Sequence, residues 1–326
     1  VQLKPGLFIF IGNLKPGLEM MRIFITVALL LSLISAKLFS QQVADTAYNP
    51  LILKPEYAIG KGSVVAIDEG HHNFHTAEVR YLPFTKLLRS DGYVVKGYEG
   101  KFRKSGLRKV RILVIANALN KINLVNWYLP TPPAFTPKET ETVRRWVENG
   151  GSLFLIADHM PFGGAAAGLA SAFGFRFTNG FAADTSAGGN AFFYRNDRTL
   201  VPSPLTNGRN SGETVSKVVT FTGQAFQIPD GARSVLQFDK RYLLLQPDTA
   251  WVFDASTRYT PLESWSQGAF MKYGKGRIVM FGEAAMFSAQ LAGPSRARVG
   301  MNSDFAEENY KLLLNIIHWL DGRIKE

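Results

Sequence analysis

Cysteine is absent from this chain. That absence removes disulfides, thiolate metal sites and a cysteine nucleophile together. Familiar catalytic signatures are missing as well: there is no Gly-x-Ser-x-Gly elbow, no Walker loop, no His-Glu-x-x-His, and no Gly-x-Gly-x-x-Gly after a strand pattern. Serine hydrolase, nucleotide hydrolase and dinucleotide enzyme readings lose their usual support. Histidine is scarce too, with five in 326 residues, yet four of the five fall in two short segments.

What is present describes a globular protein. The chain is 46% hydrophobic and 19% charged, enough for a substantial core in one large domain or two. Its net charge is +11, and without residues 1–40 it still carries 33 basic against 25 acidic residues, or +8. Basic residues cluster at Lys101-Phe102-Arg103-Lys104 and Arg108-Lys109-Val110-Arg111. We read the cluster as a solvated loop entering a strand and expect no nucleic-acid partner. Anionic envelope polymers or lipid headgroups suit such a patch better in an exported protein.

Export is expected from the N-terminus. Met20-Met21-Arg22 precedes the apolar run 23–36, the layout of a signal peptide over 20–41 and too short to favour a spanning helix. Cleavage is expected between Ala36 and Gln42, leaving no transmembrane span and a periplasmic or extracellular protein. Residues 1–19 contain a short duplication, Leu3-Lys4-Pro5-Gly6-Leu7 and Leu14-Lys15-Pro16-Gly17-Leu18. They read as an upstream extension, with translation starting at Met20 or Met21.

Strand and helix patterns alternate from 62 to about 175. Apolar runs at 63–67, 93–95, 111–116 and 152–156 read as strands, and 77–90 as a helix. Thr136-Pro137-Lys138-Glu139 supplies an N-cap, a first-turn proline and a capping-box glutamate, and Asn149-Gly150-Gly151 stops that helix. This βαβ rhythm predicts an α/β fold, a doubly wound, mostly parallel sheet with helices on both faces. The domain is expected over 60–322. A β-rich insertion interrupts it at about 176–265, and the core resumes at Gly276 and closes with an amphipathic helix. The loop 118–135 is long enough to be functional and to cover a cleft.

The histidines place the candidate site. Ile67-Asp68-Glu69-Gly70-His71-His72-Asn73-Phe74-His75 and Ala157-Asp158-His159 each follow a buried-strand pattern, and ligands of open α/β sheets bind outside the carboxyl ends of strands. Asp68, Glu69, Asp158, His159 and Glu283 are the candidate catalytic groups. His71, His72 and His75 are candidate ligands for zinc or a similar divalent metal, the only cofactor indicated. Asn73, Gly163, Gly164 and Asn302 are candidate substrate contacts, the two glycines because amides at a helix N-terminus suit anions. Each also has a structural reading, as a helix cap, a turn residue or a close-packing glycine. His318, in the terminal helix, reads as structural.

Ile67 to Thr76, Trp146 to Gly164 and Gly276 to Asn302 together resemble a poorly characterised bacterial domain family. That family is similar in fold to the class I glutamine amidotransferases, with a flavodoxin-like sheet. The resemblance covers most of 62–175 and 268–322 and implies a fold more than a function. Where those enzymes carry a cysteine elbow this chain has Asp158-His159-Met160, and its later strand ends at Glu283 with no histidine nearby. Cysteine-dependent glutamine hydrolysis is not expected. Two readings remain. One is a hydrolase-like enzyme, with or without metal assistance, acting on a polar or carbohydrate envelope substrate. The other is a non-catalytic domain holding a sugar, peptide or cell-wall fragment in the same cleft, with Phe192, Phe193 and Tyr194 as stacking surfaces. The oligomeric state is left open.

Overall fold

A computed structural model describes residues 42–184 and 189–325. Residues 1–19 and 20–41, expected as an upstream extension and a signal peptide, lie outside the described residues. Gln42–Ala292 and Arg296–Glu326 belong to one compact unit.

The strands are β1 (Gln42–Ala44), β2 (Val64–Asp68), β3 (Val94–Tyr98), β4 (Ile112–Ala116), β5 (Ser152–Ile156), β6 (Arg176–Phe177), β7 (Phe181–Asp184), β8 (Ala191–Tyr194), β9 (Lys217–Thr220), β10 (Phe226–Gln227), β11 (Arg233–Gln237), β12 (Tyr242–Gln246), β13 (Arg258–Pro261), β14 (Ser266–Tyr273), β15 (Gly276–Phe281), β16 (Ala289–Ala292) and β17 (Ala297–Gly300). The helices are α1 (Leu82–Ser90), α2 (Lys104–Leu107), α3 (Pro137–Glu148), α4 (Phe162–Ser171), α5 (Pro204–Asn207) and α6 (Asn309–Asp321).

A nine-stranded sheet runs β3-β2-β4-β5-β15-β14-β10-β6, with β11 also paired to β14. The first five strands are parallel and the rest antiparallel, so the sheet is mixed. The antiparallel half is what the mostly parallel expectation missed. Its strands β6, β10 and β11 come from the 176–265 stretch, where the four-residue α5 is too short to signal a crossover. The same stretch forms a β13-β12-β7 sheet and a β8-β9 pair, while β1-β16-β17 make a third small sheet.

The parallel strands are buried on both faces, as their continuous apolar runs require. Val65, Ile67, Ile112, Val114, Phe154 and Phe281 face α1 and α6, where Phe84, Leu88, Leu313 and Trp319 are buried. Their neighbours Leu113, Ile115, Leu153, Leu155 and Met280 face Val143, Val147, Ala166 and Leu169 of α3 and α4. Burying each such large side chain contributes roughly 1.5–3 kcal/mol.

The capping box is present: Thr136 accepts from the Glu139 amide (3.3 Å), and Glu139 accepts from the Thr136 amide (3.1 Å). The first helix starts at Leu82 rather than 77, because Pro83 lacks an amide hydrogen and fits only an opening turn. Gly276 is fixed by proximity, since a Cβ there would lie 2.1 Å from the Gly151 carbonyl oxygen.

Candidate functional site

Asp68 closes β2 with no solvent exposure. It accepts from the Gly70 amide (3.2 Å), the Asn73 side-chain amide (3.0 Å) and His71 Nδ1 (2.9 Å). The other nitrogen of His71, Nε2, meets Glu139 at 3.0 Å. One imidazole thus bridges the end of β2 and the capping glutamate of α3, between the rings of Phe102 and Phe135 at 4.5 and 4.8 Å. Burial disfavours the charged ring, but hydrogen bonds and charge from Asp68 and Glu139 outweigh it and raise the His71 pKa. Burial likewise pushes Glu139 up, and hydrogen bonds from Thr136 and His71 reverse that and lower it. Asn73 accepts from the His71 amide (3.0 Å), and Glu69 caps the next turn through the Ala77 amide (2.8 Å). His72 sits in the same turn, exposed and left-handed at φ 51°.

A second cluster gathers the ends of β4, β5 and β15. Asp158 and Glu283 each lie two residues past the paired ends, Ile156 and Phe281, of adjacent parallel strands. One further backbone bond joins the strand ends, from the Ala157 amide to the Phe281 carbonyl (3.0 Å). Glu283 is buried and accepts from the amides of Ala285 (2.7 Å) and Met286 (2.8 Å). Burial, reinforced by the Asp158 charge, raises its pKa well above the ordinary carboxyl value.

Asn117, left-handed at φ 49°, joins this cluster to the first segment. Its carbonyl oxygen accepts from the Asp158 amide (2.9 Å) and its NH2 faces His75 Nδ1 (3.3 Å). With Nδ1 as acceptor, the His75 proton belongs on Nε2, which is buried without a partner. Burial, then the Arg80 charge, pushes the His75 pKa down to about 3, so the ring is neutral. Tyr81 packs on it at 4.5 Å and donates to the Ala284 carbonyl (3.0 Å). Burial and the charges of Glu283 and Asp158 raise the Tyr81 phenol.

His159 has different company. Its Nδ1 donates to the Met160 carbonyl (2.6 Å), its ring stacks on Phe181 at 4.5 Å, and Trp251 meets it edge-on at 4.7 Å. Phe74 and Phe162 stand between it and His75: Phe74 lies 5.4 Å from His75 and 5.7 Å from Phe162, which lies 5.9 Å from His159. Among the described residues no group of three or more His, Asp or Glu side chains stands where it could hold a metal ion. The three imidazoles expected as ligands are dispersed: His71 is held between carboxylates, His72 is at the surface and His75 is sealed in the core.

At the N-terminus of α4 the Gly163 amide points to the His159 carbonyl (3.5 Å) and the Gly164 amide donates to Asn179 (3.2 Å), so both face protein acceptors. Asn302 is elsewhere, donating to Asp45 (3.0 Å) and the Gln290 carbonyl (3.1 Å) around the β1-β16-β17 sheet. Phe193 is buried on Phe238 and Tyr242, and Phe192 stacks with Tyr194 near Phe305, away from His159. His318 pairs with Asp91 at 2.6 Å inside the fold.

Phe162 of α4, Phe181 of β7 and two loop tryptophans, Trp127 and Trp251, ring His159. Trp127, Tyr128 and Leu129 lie in the 118–135 loop, and Trp251, Val252 and Phe253 in the β12–β13 connection. The loops are tied by the Leu129 amide on the Asp248 carbonyl (2.9 Å) and the Ala250 amide on the Trp127 carbonyl (2.8 Å). Trp251 is 54% exposed and Phe253 44%. Sequence reasoning missed Asn117, Tyr81 and Trp251. Asn117 was accessible as the first polar residue after a strand, whereas Trp251 carries no signal inside an irregular stretch.

No known family and no curated protein matches the chain. Solved structures do. The mmIFT52 N-terminal domain aligns over 79% of this chain and 97% of its own, with a TM-score of 0.56 and 15% identity. Proteins described as ThuA-like, from Bacteroides uniformis ATCC 8492 and Parabacteroides merdae ATCC 43184, align over 85% and 81% of this chain and 96% and 91% of theirs. Their TM-scores are 0.45 and 0.41, with identities of 12% and 14%. At such identities the likeness to the mmIFT52 domain speaks for a shared fold and for nothing beyond it.

Proposed function

We propose that this chain is a binding domain whose working surface is the aromatic lip around His159, at the carboxyl ends of the parallel strands. One observation carries the reading. The polar groups behind the lip are spent on one another, Asp68 and Glu139 on His71 and Glu283 on two backbone amides, while half-exposed Trp251 and Phe253 remain in front. With Nδ1 of His159 committed to Met160, Nε2 is the ring nitrogen left for a ligand. Rings with one polar tip between them suit a ligand with an apolar face and hydroxyl or amide edges. Export, as the 20–41 segment suggests, would put this surface in the cell envelope.

Tryptophan emission, titrated with soluble oligosaccharides, cell-wall fragments and peptides and compared with Trp251→Phe, tests the reading. Saturable change that vanishes in the variant supports it. Unchanged emission across the panel and with every other probe of the lip would remove it.

A second reading, hydrolysis, is favoured by the Asp158–Glu283 pair. A carboxyl held protonated beside a second carboxylate is an acid and base set apart by environment. Turnover of an envelope substrate that Glu283→Gln abolishes, with the variant still folded, would replace the binding reading with this one.

A further inference from the structure

The lip continues into a larger apolar surface. Ile122, Leu124, Val125, Tyr128 and Leu129 on one loop, and Trp251, Val252 and Phe253 on the other, are all exposed, Val125 by 84%. The loops are held in shape from within: Asn120 donates to the Pro133 carbonyl (2.8 Å), Asn123 to the Asn126 carbonyl (2.8 Å), and the two cross-loop amide bonds join them. Trp251 is fixed in the left-handed region at φ 68°, which a bulky residue adopts only where its surroundings impose it. A contiguous apolar patch on ordered loops marks an interaction surface.

The basic cluster is attached to this surface. β3 and β4 flank β2 in the parallel part of the sheet, so the turn after β3 and the loop after β4 open at the same end. The turn is anchored there by Phe102, whose ring lies 5.8 Å from Phe135 at the end of the apolar loop. Lys101, Arg103 and Lys104 on the turn, with Lys121 and Lys138 beside the loop, are exposed. The exposed acids on these segments are Glu99, Asp248 and Asp254. Aromatic and aliphatic side chains flanked by lysine and arginine match the boundary of a bilayer, where rings sit at headgroup level and basic residues meet anionic lipid.

We infer that this face docks on an anionic lipid surface, with Trp251, Phe253, Tyr128 and Leu129 entering the headgroup layer and the 101–104 turn against lipid phosphates. The inference rests on the binding reading above and names its partner. Its chemistry is phospholipid in a bilayer, not a free phosphate, because eight apolar side chains would have no role toward a soluble ion.

The test uses the full chain with phosphatidylcholine vesicles, with and without phosphatidylglycerol. The expected result is a blue shift of the Trp251 emission, found as the difference from Trp251→Phe, and its quenching by lipids brominated in the acyl chains. Lys101→Ala with Lys104→Ala should raise the lipid concentration at half-shift about thirtyfold, near fivefold per charge, and added salt should raise it further. The apolar run at 23–36 is common to every variant, so it cannot produce differences between them. Trp251 emission unmoved by anionic vesicles would overturn the inference. So would a shift that follows protein concentration without lipid, since a second copy would then cover the face. If soluble saccharides or peptides move that emission and vesicles do not, the bilayer falls and the binding reading stands. If nothing moves it, both fall.

Discussion

Asp158 and Glu283 each stand two residues beyond the Ile156–Phe281 pair that closes neighbouring parallel strands, and the Asp158 charge acts on the Glu283 carboxyl. Both are buried, and the Asp158 charge adds to burial in holding a proton on Glu283. Because the folded state holds that proton at a pH where the unfolded chain has released it, the contribution of Glu283 is present below its ordinary pKa of 4.5 and is lost as pH rises above it. Denaturation midpoints of the wild type should therefore fall with rising pH more steeply than those of Glu283→Gln. Equal slopes throughout the range above pH 4.5 would show that Glu283 is not held protonated.

His75 works in the opposite direction. Its folded pKa is near 3 against an ordinary 6.5, so the unfolded chain takes up a proton that the native core refuses. Stability is fully present above the unfolded value and falls as pH drops from about 6.5 towards 3, by up to about 1.4 kcal/mol per pH unit. Between about 4.5 and 6.5 the Glu283 and His75 effects oppose one another. His75→Phe should flatten the acid limb and leave the alkaline limb unchanged. An acid limb as steep in the variant would assign acid sensitivity to other groups.

Glu139 serves three partners, the Thr136 cap, His71 and the Phe102 amide (3.3 Å). Thr136→Ala removes the cap alone and should cost about 1 kcal/mol. Glu139→Ala removes the cap partner and leaves the His71 Nε2 and Phe102 amide donors without their acceptor, which should cost more, about 2–4 kcal/mol. Urea midpoints of the two single variants and the double variant give the coupling. If the two single variants cost the same, the His71–Glu139 contact adds nothing beyond the cap.

How much of this was legible depended on the range of the interaction. The Thr136–Glu139 box spans one helical turn, and its partners are visible at fixed spacing. The continuous apolar runs of β2, β4 and β5 likewise reveal burial on both faces. The histidine segments were placed beyond the carboxyl ends of β2 and β5 because a strand must deliver its next residues there, and there they lie. Their partners were not legible. Nothing in the spacing says that His71 would meet Glu139, 68 positions away. Nor does it say that Asn117 would take the backbone amide of Asp158. A buried imidazole and a metal-ligating one share residue type and differ only in what tertiary packing brings to their nitrogens. The antiparallel half of the sheet was hidden because two-residue strands such as β6 and β10 leave no periodicity to count.

Two glycines of α4 make a paired prediction about that helix. A Cβ on Gly163 would lie 2.2 Å from the Thr178 carbonyl oxygen and 2.7 Å from the Gln224 side chain, whose Nε2 donates to the Ala157 carbonyl next to Asp158. Backbone on one side and a committed amide on the other leave no cheap adjustment. Gly163→Ala should therefore destabilise by about 1–3 kcal/mol. The displacement should also reach Asp158 and His159, so Trp251 emission should change with it. Gly168, one and a half turns on, has nothing within 4 Å of the same added atom. Gly168→Ala should stabilise by about 0.5–1 kcal/mol through helix propensity alone and leave the Trp251 signal unaltered. Thermal midpoints of the two variants, measured beside emission spectra, check both halves. Were Gly163→Ala as harmless as Gly168→Ala, the close packing of α4 against the strand ends would lose its claim to hold the site in place.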